Sequence, residues 1–155
     1  MKNIVIIILF AFYFNNNPIY IEGKGYKGYI FSKSYTNKYF PREEDKCFTP
    51  KMNDVEIAEA ILKKKIVCDS KKQIRLSREC PVIHRNLAKY NRQYFGEIDK
   101  NGNKIIYINF IWQKATPDYW DKDIVIKLDG CSFFWNVKVN IDSGEMYDLN
   151  VNGMG

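Results

Sequence analysis

The side chains of this 155-residue chain that could perform chemistry are few and widely separated. His84 is the only histidine, and Cys80 lies one helical turn before it with Pro81 in between. A hydrolase of the Cys-His kind needs a base within hydrogen-bond reach of its nucleophile and a third group that orients the base. Because no oxyanion-hole glycine motif lies nearby, we predict no catalytic residue and expect His84 to be a surface or half-buried side chain.

A second candidate is an acidic segment in which Asp118, Asp121 and Asp123 flank Tyr119 and Trp120. Two carboxylates on either side of a sugar bond are what glycoside hydrolysis requires, and aromatic rings beside acids are typical of carbohydrate clefts. A solvated loop with one packed tryptophan has the same composition, and the calcium-loop pattern of EF-hands is absent. We therefore predict no metal and no cofactor, and keep a small enzyme or binder of envelope polysaccharide as an alternative.

The four cysteines are Cys47, Cys68, Cys80 and Cys131. An even number in an exported chain permits two disulfides with three pairings. Their spacing fits no zinc pattern of the C-x2-C kind. A lone buried thiol explains Cys131 equally well, so the pairing stays open.

The net charge of +6 at pH 7 is concentrated in one stretch. Residues 63–92 carry ten basic and two acidic side chains, and we expect Arg85, Lys89 and Arg92 to form a basic stripe on the surface. Lysine and arginine neutralise phosphates, but Tyr90 is the single ring there for base stacking. The pattern disfavours nucleic acid and favours a protein partner or an anionic polymer, with a plain solvated face as the alternative.

The amino terminus has the layout of a secretory signal peptide. Lys2 precedes an unbroken apolar run at 4–14, which Asn15, Asn16, Asn17 and Pro18 end. Such a run is too short to cross a hydrocarbon core of roughly 30 Å, and no other segment is long enough. We assign 1–17 to a signal peptide, with a buried first strand as the alternative, and expect a secreted, periplasmic or cell-envelope location.

The most distinct helix pattern covers 53–67. Asn53 is a candidate N-cap with Glu56 three residues later, as in a capping box. A single apolar stripe follows at helical spacing, formed by Ile57, Ala58, Ile61, Leu62 and Ile66. Before this helix, residues 18–47 show no consistent apolar face, and we predict an irregular segment with one edge strand around 29–34.

Alternating apolar and polar residues after Tyr90 predict strands at 90–98, 104–112, 124–128, 133–141 and 147–151. Asn101-Gly102 is a strong hairpin signal between the first two, and Asp142 to Gly144 forms a later turn. The apolar face of 133–141 and the helix stripe must cover each other. The predicted fold is an α+β domain at 48–155, with one main helix packed on a four- to five-stranded antiparallel sheet.

The opposite face of this sheet has mixed aromatic and amide character. We expect adjacent rows there formed by Gln93, Phe95, Tyr107, Asn109, Asn136 and Lys138. Such a face suits recognition of a ligand or a protein, and unoccupied sheet faces share the same composition.

Two resemblances follow. The element order over 53–151 resembles the cystatin-like arrangement, but the tips at 99–103 and 142–144 match neither the Q-x-V-x-G hairpin nor the Pro-Trp hairpin of cystatin inhibitors. The segments FTPKMNDVEIAE, YNRQYFG, GNKIIYINF, DGCSFFWNVKVNI and YDLNVNGMG resemble a family of small exported proteins of Bacteroidetes-type bacteria. That family has no assigned activity, so the resemblance implies export and a single domain. The leading hypothesis is a non-enzymatic binding or interaction module, and inhibition of a partner protein is a further alternative.

Overall fold

The computed structural model describes residues 17–73 and 80–153, with the side chains of 68–73 left out of the description. The predicted signal peptide at 1–17 therefore lies outside the described residues, apart from Asn17. Strands account for most of the regular structure, and a single long helix covers one face of the sheet.

Helix α1 spans Met52–Gln73 and is longer at both ends than the prediction of 53–67. Its amino terminus is held by Asp54, whose Oδ2 accepts a hydrogen bond from the backbone nitrogen of Lys51 at 2.9 Å. A carboxylate that reaches back in this way is one half of a capping box. The predicted Asn53 cap is thus wrong by two positions.

The buried side of α1 is formed by Val55, Ala58, Leu62 and Ile66. Ile57, which was expected in the apolar stripe, is 38% exposed. The inner face of the helix runs through Val55, Ala58, Leu62 and Ile66 at helical spacing, and Ile57 lies off this line.

The strands are β1 (Ile19–Gly23), β2 (Tyr26–Ile30), β3 (Cys47–Phe48), β4 (Tyr90–Ile98), β5 (Lys104–Trp112), β6 (Phe134–Asn140) and β7 (Glu145–Val151). They form one seven-stranded sheet in the order β1-β2-β4-β5-β6-β7, with β3 paired to one end of β4. Every pair is antiparallel except β2 and β4, which are parallel.

The predicted four- to five-stranded antiparallel sheet is therefore wrong. The segment at 18–47, expected to be largely irregular, contributes β1, β2 and the first residue of β3. Its strands are short and contain Gly28, which removes the alternation on which strand prediction depends. Gly28 is needed there, because a Cβ at this position would collide with the backbone carbonyl of Arg92 on the neighbouring strand.

The strands predicted from residue 90 onward are confirmed, except 124–128, which forms a loop. Both predicted turns are also present, with Gly102 at φ +82° and Gly144 at φ +73°. These left-handed backbone angles are ones that glycine adopts without strain.

The main core lies between α1 and the sheet, as the apolar patterns of 133–141 and of the helix predict. Trp135, Val137 and Val139 of β6 pack in the same buried cluster as Ala58 and Leu62 of the helix. The Trp135 ring stacks on Phe110 with a centroid separation of 3.6 Å. This face of the sheet is closed by the helix.

A second, smaller core covers part of the opposite face. Phe31, Phe95 and Ile124 are buried together, with Tyr35 and Phe40 packed against them. These contacts come from two chain segments that cross the sheet, which we call the strap (residues 31–40) and the acidic loop (residues 118–128). The opposite face is therefore only partly open.

One disulfide joins Cys80 to Cys131, across 51 residues of sequence. It fixes the segment after α1 to the turn before β6. Cys47 is not in a disulfide, and the side chain of Cys68 lies outside the described residues. The structure thus selects one cysteine pairing that the sequence had left open.

Candidate functional site

The rows expected on the opposite face of the sheet are present. Gln93, Asn109 and Asn136 are direct neighbours on β4, β5 and β6. Phe95, Tyr107 and Lys138 form the next row in the same register. All six residues predicted as a ligand or partner face therefore lie side by side.

Three of those six are buried and already engaged. The Gln93 amide donates to the backbone oxygens of Trp120 at 2.7 Å and Asp123 at 2.8 Å. Its Oε1 accepts from Asn109, while Asn109 also donates to the Val125 oxygen. Phe95 is covered by the strap. Gln93, Phe95 and Asn109 thus hold the acidic loop and the strap against the sheet, and of the three only Asn109 also lines the groove described below.

Asp123 fastens the acidic loop to the strap. Its Oδ1 accepts a hydrogen bond from the Tyr35 hydroxyl, and both carboxylate oxygens accept from Asn37 Nδ2, at 2.9 and 3.0 Å. Burial, followed by the hydrogen bond to Asp123, raises the pKa of the Tyr35 hydroxyl well above its ordinary value. The phenol therefore stays protonated and remains a donor at physiological pH.

The other acidic residues of this loop do not share that role. Asp118 is exposed and Asp121 is half-buried, with Oδ1 lacking a hydrogen-bond partner among the described residues. Trp120 packs edge-on against Tyr29 at 4.7 Å between ring centroids. The packed tryptophan and the engaged Asp123 fit a structural loop better than a pair of catalytic carboxylates.

The accessible part of the opposite face is a groove of about 170 Å³ beside β5 and β6. Its walls include Tyr39 and Phe40 of the strap, Tyr107 and Asn136 of the sheet, and Lys127 and Asn152. Three of these walls are aromatic rings and two are amides. We call this the aromatic groove.

The rim of the aromatic groove is unusually apolar for a surface. Tyr39 is 70% exposed, and the acidic loop presents Ile126 at 41% and Leu128 at 85% exposure. Asn152 Nδ2 donates to the oxygens of Lys127 and Asp129, at 2.6 and 3.1 Å, which fixes the loop in this position. Exposed apolar side chains that cluster beside a groove with polar groups are typical of recognition sites.

Two polar side chains of the face remain close to the groove. The Asn136 Oδ1 accepts a hydrogen bond from Asn150 at 3.3 Å, and its amide nitrogen has no partner among the described residues. Lys138 is held by Glu97, with 2.7 Å between Nζ and Oε2. Burial raises the pKa of the Tyr107 hydroxyl well above its ordinary value, so this group also stays protonated.

Of the three residues expected in a basic surface stripe, two are exposed and one is buried. Arg85 and Lys89 are exposed, whereas Arg92 is 1% exposed and lies under helix α1. The expectation of an exposed Arg92 is wrong because this residue lies between Tyr90 and Tyr94 on the helix-facing side of strand β4, where Glu59 compensates its charge. His84 is half-buried, as expected.

Arg92 forms a buried ion pair that the sequence analysis missed. Its Nε lies 2.7 Å from Glu59 Oε1, which also accepts a hydrogen bond from the Tyr94 hydroxyl at 2.8 Å. The guanidinium additionally donates to the Tyr90 oxygen at 2.8 Å. Burial raises the pKa of Glu59, while the Arg92 charge opposes that shift. One feature of the sequence could have indicated this buried pair: Glu59 directly follows Ala58, which belongs to the apolar stripe of the predicted helix.

In the described ranges, no group of three or more histidine, cysteine or acidic side chains is placed to hold a metal ion. None of the helices in those ranges has both the length and the hydropathy that a membrane crossing needs. Comparison with known protein families, with curated proteins and with solved structures finds no match for this chain. The resemblance to a family of exported proteins therefore stays a prediction.

Proposed function

We propose that this protein is a non-enzymatic binding module that acts outside the cytoplasm and holds a saccharide unit in the aromatic groove. The observation that carries the proposal is the wall composition: the rings of Tyr39, Phe40 and Tyr107 stand beside the amides of Asn136 and Asn152. No other accessible surface described above combines exposed rings with amide groups in this way.

Saccharides match this composition for two reasons. The C–H faces of a sugar ring are apolar and pack on aromatic rings, while an amide both donates to and accepts from hydroxyl groups. The groove of about 170 Å³ is also smaller than the roughly 300 Å³ lower limit of pockets for drug-sized ligands. It accommodates one sugar unit of a chain whose remaining units lie along the surface.

Binding is favoured over hydrolysis because of where the carboxylates are. Cleavage of a glycosidic bond needs two carboxyl groups that flank it. Among the described residues that line the groove, none carries a carboxylate. The nearest candidates are committed elsewhere, since Asp123 accepts from Tyr35 and Asn37, and Glu97 pairs with Lys138.

A location outside the cytoplasm is supported by the disulfide between Cys80 and Cys131, because such bonds persist in oxidising compartments. The predicted signal peptide and the resemblance to an exported family support the same location. Exposed Arg85 and Lys89 suit the anionic polymers of a cell envelope. An acidic polysaccharide of the envelope is the ligand that combines these features.

The test uses the disulfide-bonded protein against an array of envelope and host glycans, followed by calorimetric titration of each hit. We expect Tyr39→Ala to weaken binding about tenfold, because an aromatic contact contributes up to about 1.5 kcal/mol beyond its buried area. Asn136→Ala should weaken it to a similar degree through the lost amide contacts.

The matched control is Tyr20→Ala, which removes an exposed tyrosine from the edge strand at the far side of the same sheet. Equal losses for Tyr20→Ala and Tyr39→Ala would contradict the assignment of the groove, as would the absence of any glycan hit. Turnover of a glycan that Asp121→Asn abolishes would instead establish an enzyme at the acidic loop.

A further inference from the structure

A separate and larger cavity, of about 430 Å³, lies at the edge of helix α1 and has no role in the proposal above. It is an open cavity lined by α1, by the turn between β1 and β2 at Gly23 to Tyr26, and by Leu87 and Ala88. Its volume falls within the range of about 300 to 1,000 Å³ that is usual for small-molecule sites.

The floor of this cavity is polar, and its charged side chains neutralise each other. Arg92 and Glu59 line it and neutralise each other through their ion pair, which Tyr94 completes. One guanidinium nitrogen of Arg92 also faces the Gly25 oxygen at the long distance of 3.4 Å. The floor therefore supplies hydrogen-bonding groups without a net charge.

The mouth, in contrast, carries charges that have no counterpart. Lys24, Glu56 and Lys63 all line the cavity and are exposed. The ion pairs formed among the described residues include none of these three side chains. One carboxylate and two ammonium groups thus surround a cavity whose own charges are otherwise balanced.

The spacing of Glu56 and Lys63 limits the length of a matching ligand. They are two turns apart on α1, so their Cα atoms are about 10 Å apart along the axis. Both side chains are long and exposed, so each can contact one end of a ligand shorter than this separation. A dipeptide has that size and carries an ammonium group at one end and a carboxylate at the other.

The remaining walls suit the rest of such a ligand. The Tyr26 ring lies at the cavity near Glu56 and Glu59, whose charges, after burial, raise the pKa of its hydroxyl. The Arg92 guanidinium carbon already lies 5.9 Å from the centroid of this ring, so the Glu56 carboxylate is the group that contacts an ammonium of the ligand. Leu87, Ala88 and Ala60 provide an apolar wall for a side chain.

We infer that this cavity binds a zwitterion of dipeptide size with an apolar side chain. Its ammonium group contacts Glu56, and its carboxylate contacts Lys63 and Lys24. The side chain packs on Leu87 and Ala88. This site is independent of the aromatic groove and uses different residues throughout.

The experiment titrates the intact protein with the dipeptide alanyl-leucine, its N-acetylated form and its C-terminal amide, followed by calorimetry and by amide shifts of α1. Each blocked form should bind about fivefold more weakly, because an exposed ion pair contributes up to about 1 kcal/mol. Failure of the unblocked dipeptide to bind at millimolar concentration would overturn the inference.

Variants locate each end of the ligand. In Glu56→Gln the penalty for acetylation should disappear while the penalty for amidation remains, and the pair Lys24→Gln with Lys63→Gln should show the reverse. Lys64→Gln, on the exposed side of the same helix, is the matched control and should keep both penalties. Retention of both penalties in Glu56→Gln would refute the site.

The substituted side chains are exposed, so the midpoint of thermal unfolding should stay at the wild-type value. Tyr39→Ala should leave dipeptide affinity unchanged, which separates this site from the aromatic groove. Loss of dipeptide binding in Tyr39→Ala would count against two independent sites.

Discussion

Arg92 Nε of strand β4 and Glu59 Oε1 of helix α1 lie 2.7 Å apart, and both side chains are almost wholly removed from solvent. The pair joins the only long helix of the described chain to a central strand of the sheet. Tyr94 donates to the same carboxylate oxygen, so the contact is a small network with one shared acceptor.

We expect Glu59→Gln to lower the free energy of unfolding by about 3 to 5 kcal/mol, because it leaves the Arg92 charge buried without a counter-charge. Urea unfolding followed by circular dichroism measures the loss. The double variant Glu59→Leu with Arg92→Met should be more stable than either single variant. A loss below about 1 kcal/mol in Glu59→Gln would show that the pair does not carry this burial penalty.

The hairpin between β4 and β5 should lose an acid-sensitive contribution in Asp99→Asn. Asp99 accepts hydrogen bonds from the Asn103 side chain and from the backbone nitrogens of Asn103 and Asn101, and these bonds lower its pKa from 3.8. A lowered folded-state pKa contributes stability above pH 3.8 that is lost as the pH falls through the folded-state value. The stability difference between wild type and Asp99→Asn should therefore be constant near neutrality and shrink below pH 3.8. A difference that grows with acidification would contradict this.

Loss of the disulfide should be costly because Cys80 and Cys131 close a long loop. The pair is 51 residues apart in sequence, and the chain-entropy model assigns about 4 kcal/mol to a loop of that size. Replacing both cysteines by alanine should lower the midpoint of guanidinium unfolding accordingly. Cys47→Ala is the matched control, since Cys47 is not in a disulfide. Equal midpoints for the two variants would contradict the bond.

Removal of the phenol of Tyr35 should loosen the strap from the acidic loop. This hydroxyl donates to Asp123 and accepts from the Ile124 nitrogen at 2.9 Å, so Tyr35→Phe leaves a half-buried carboxylate oxygen with one donor fewer. We expect a loss of about 1 to 3 kcal/mol in unfolding free energy. Tyr39→Phe, which alters an exposed phenol of the same strap, should change it by less than about 0.5 kcal/mol. The same loss in both variants would contradict a stabilising hydrogen bond between Tyr35 and Asp123.

The second half of the fold was predictable because its patterns are local. In β5 and β6 apolar residues of the main core recur at every second position, at Ile106, Ile108 and Phe110 and at Trp135, Val137 and Val139, and Gly102 and Gly144 stand where tight turns need them. The rows of Gln93 with Asn109 and of Phe95 with Tyr107 followed directly from that register.

The first strands could not be predicted because they lack such a local pattern. β2 pairs with β4 although the whole of α1 separates them in the sequence. The buried positions of β2, Gly28 and Ile30, are too few to show a strand period. Arg92 was misplaced because a charge is normally taken as a mark of the surface, whereas here Glu59 compensates it. No local pattern identifies a partner on another element.

The parallel pairing of Gly28 with Arg92 has a consequence for the order of assembly. The hairpins of β4 to β7 join strands that are close in sequence, whereas the whole of α1 separates β2 from β4, and closure over such a separation is slow. We therefore expect β2 to dock after the β4–β7 hairpins have formed. Both cavities take part of their walls from residues next to β2, through the β1–β2 turn and the strap. Both ligand sites should accordingly be completed late in folding.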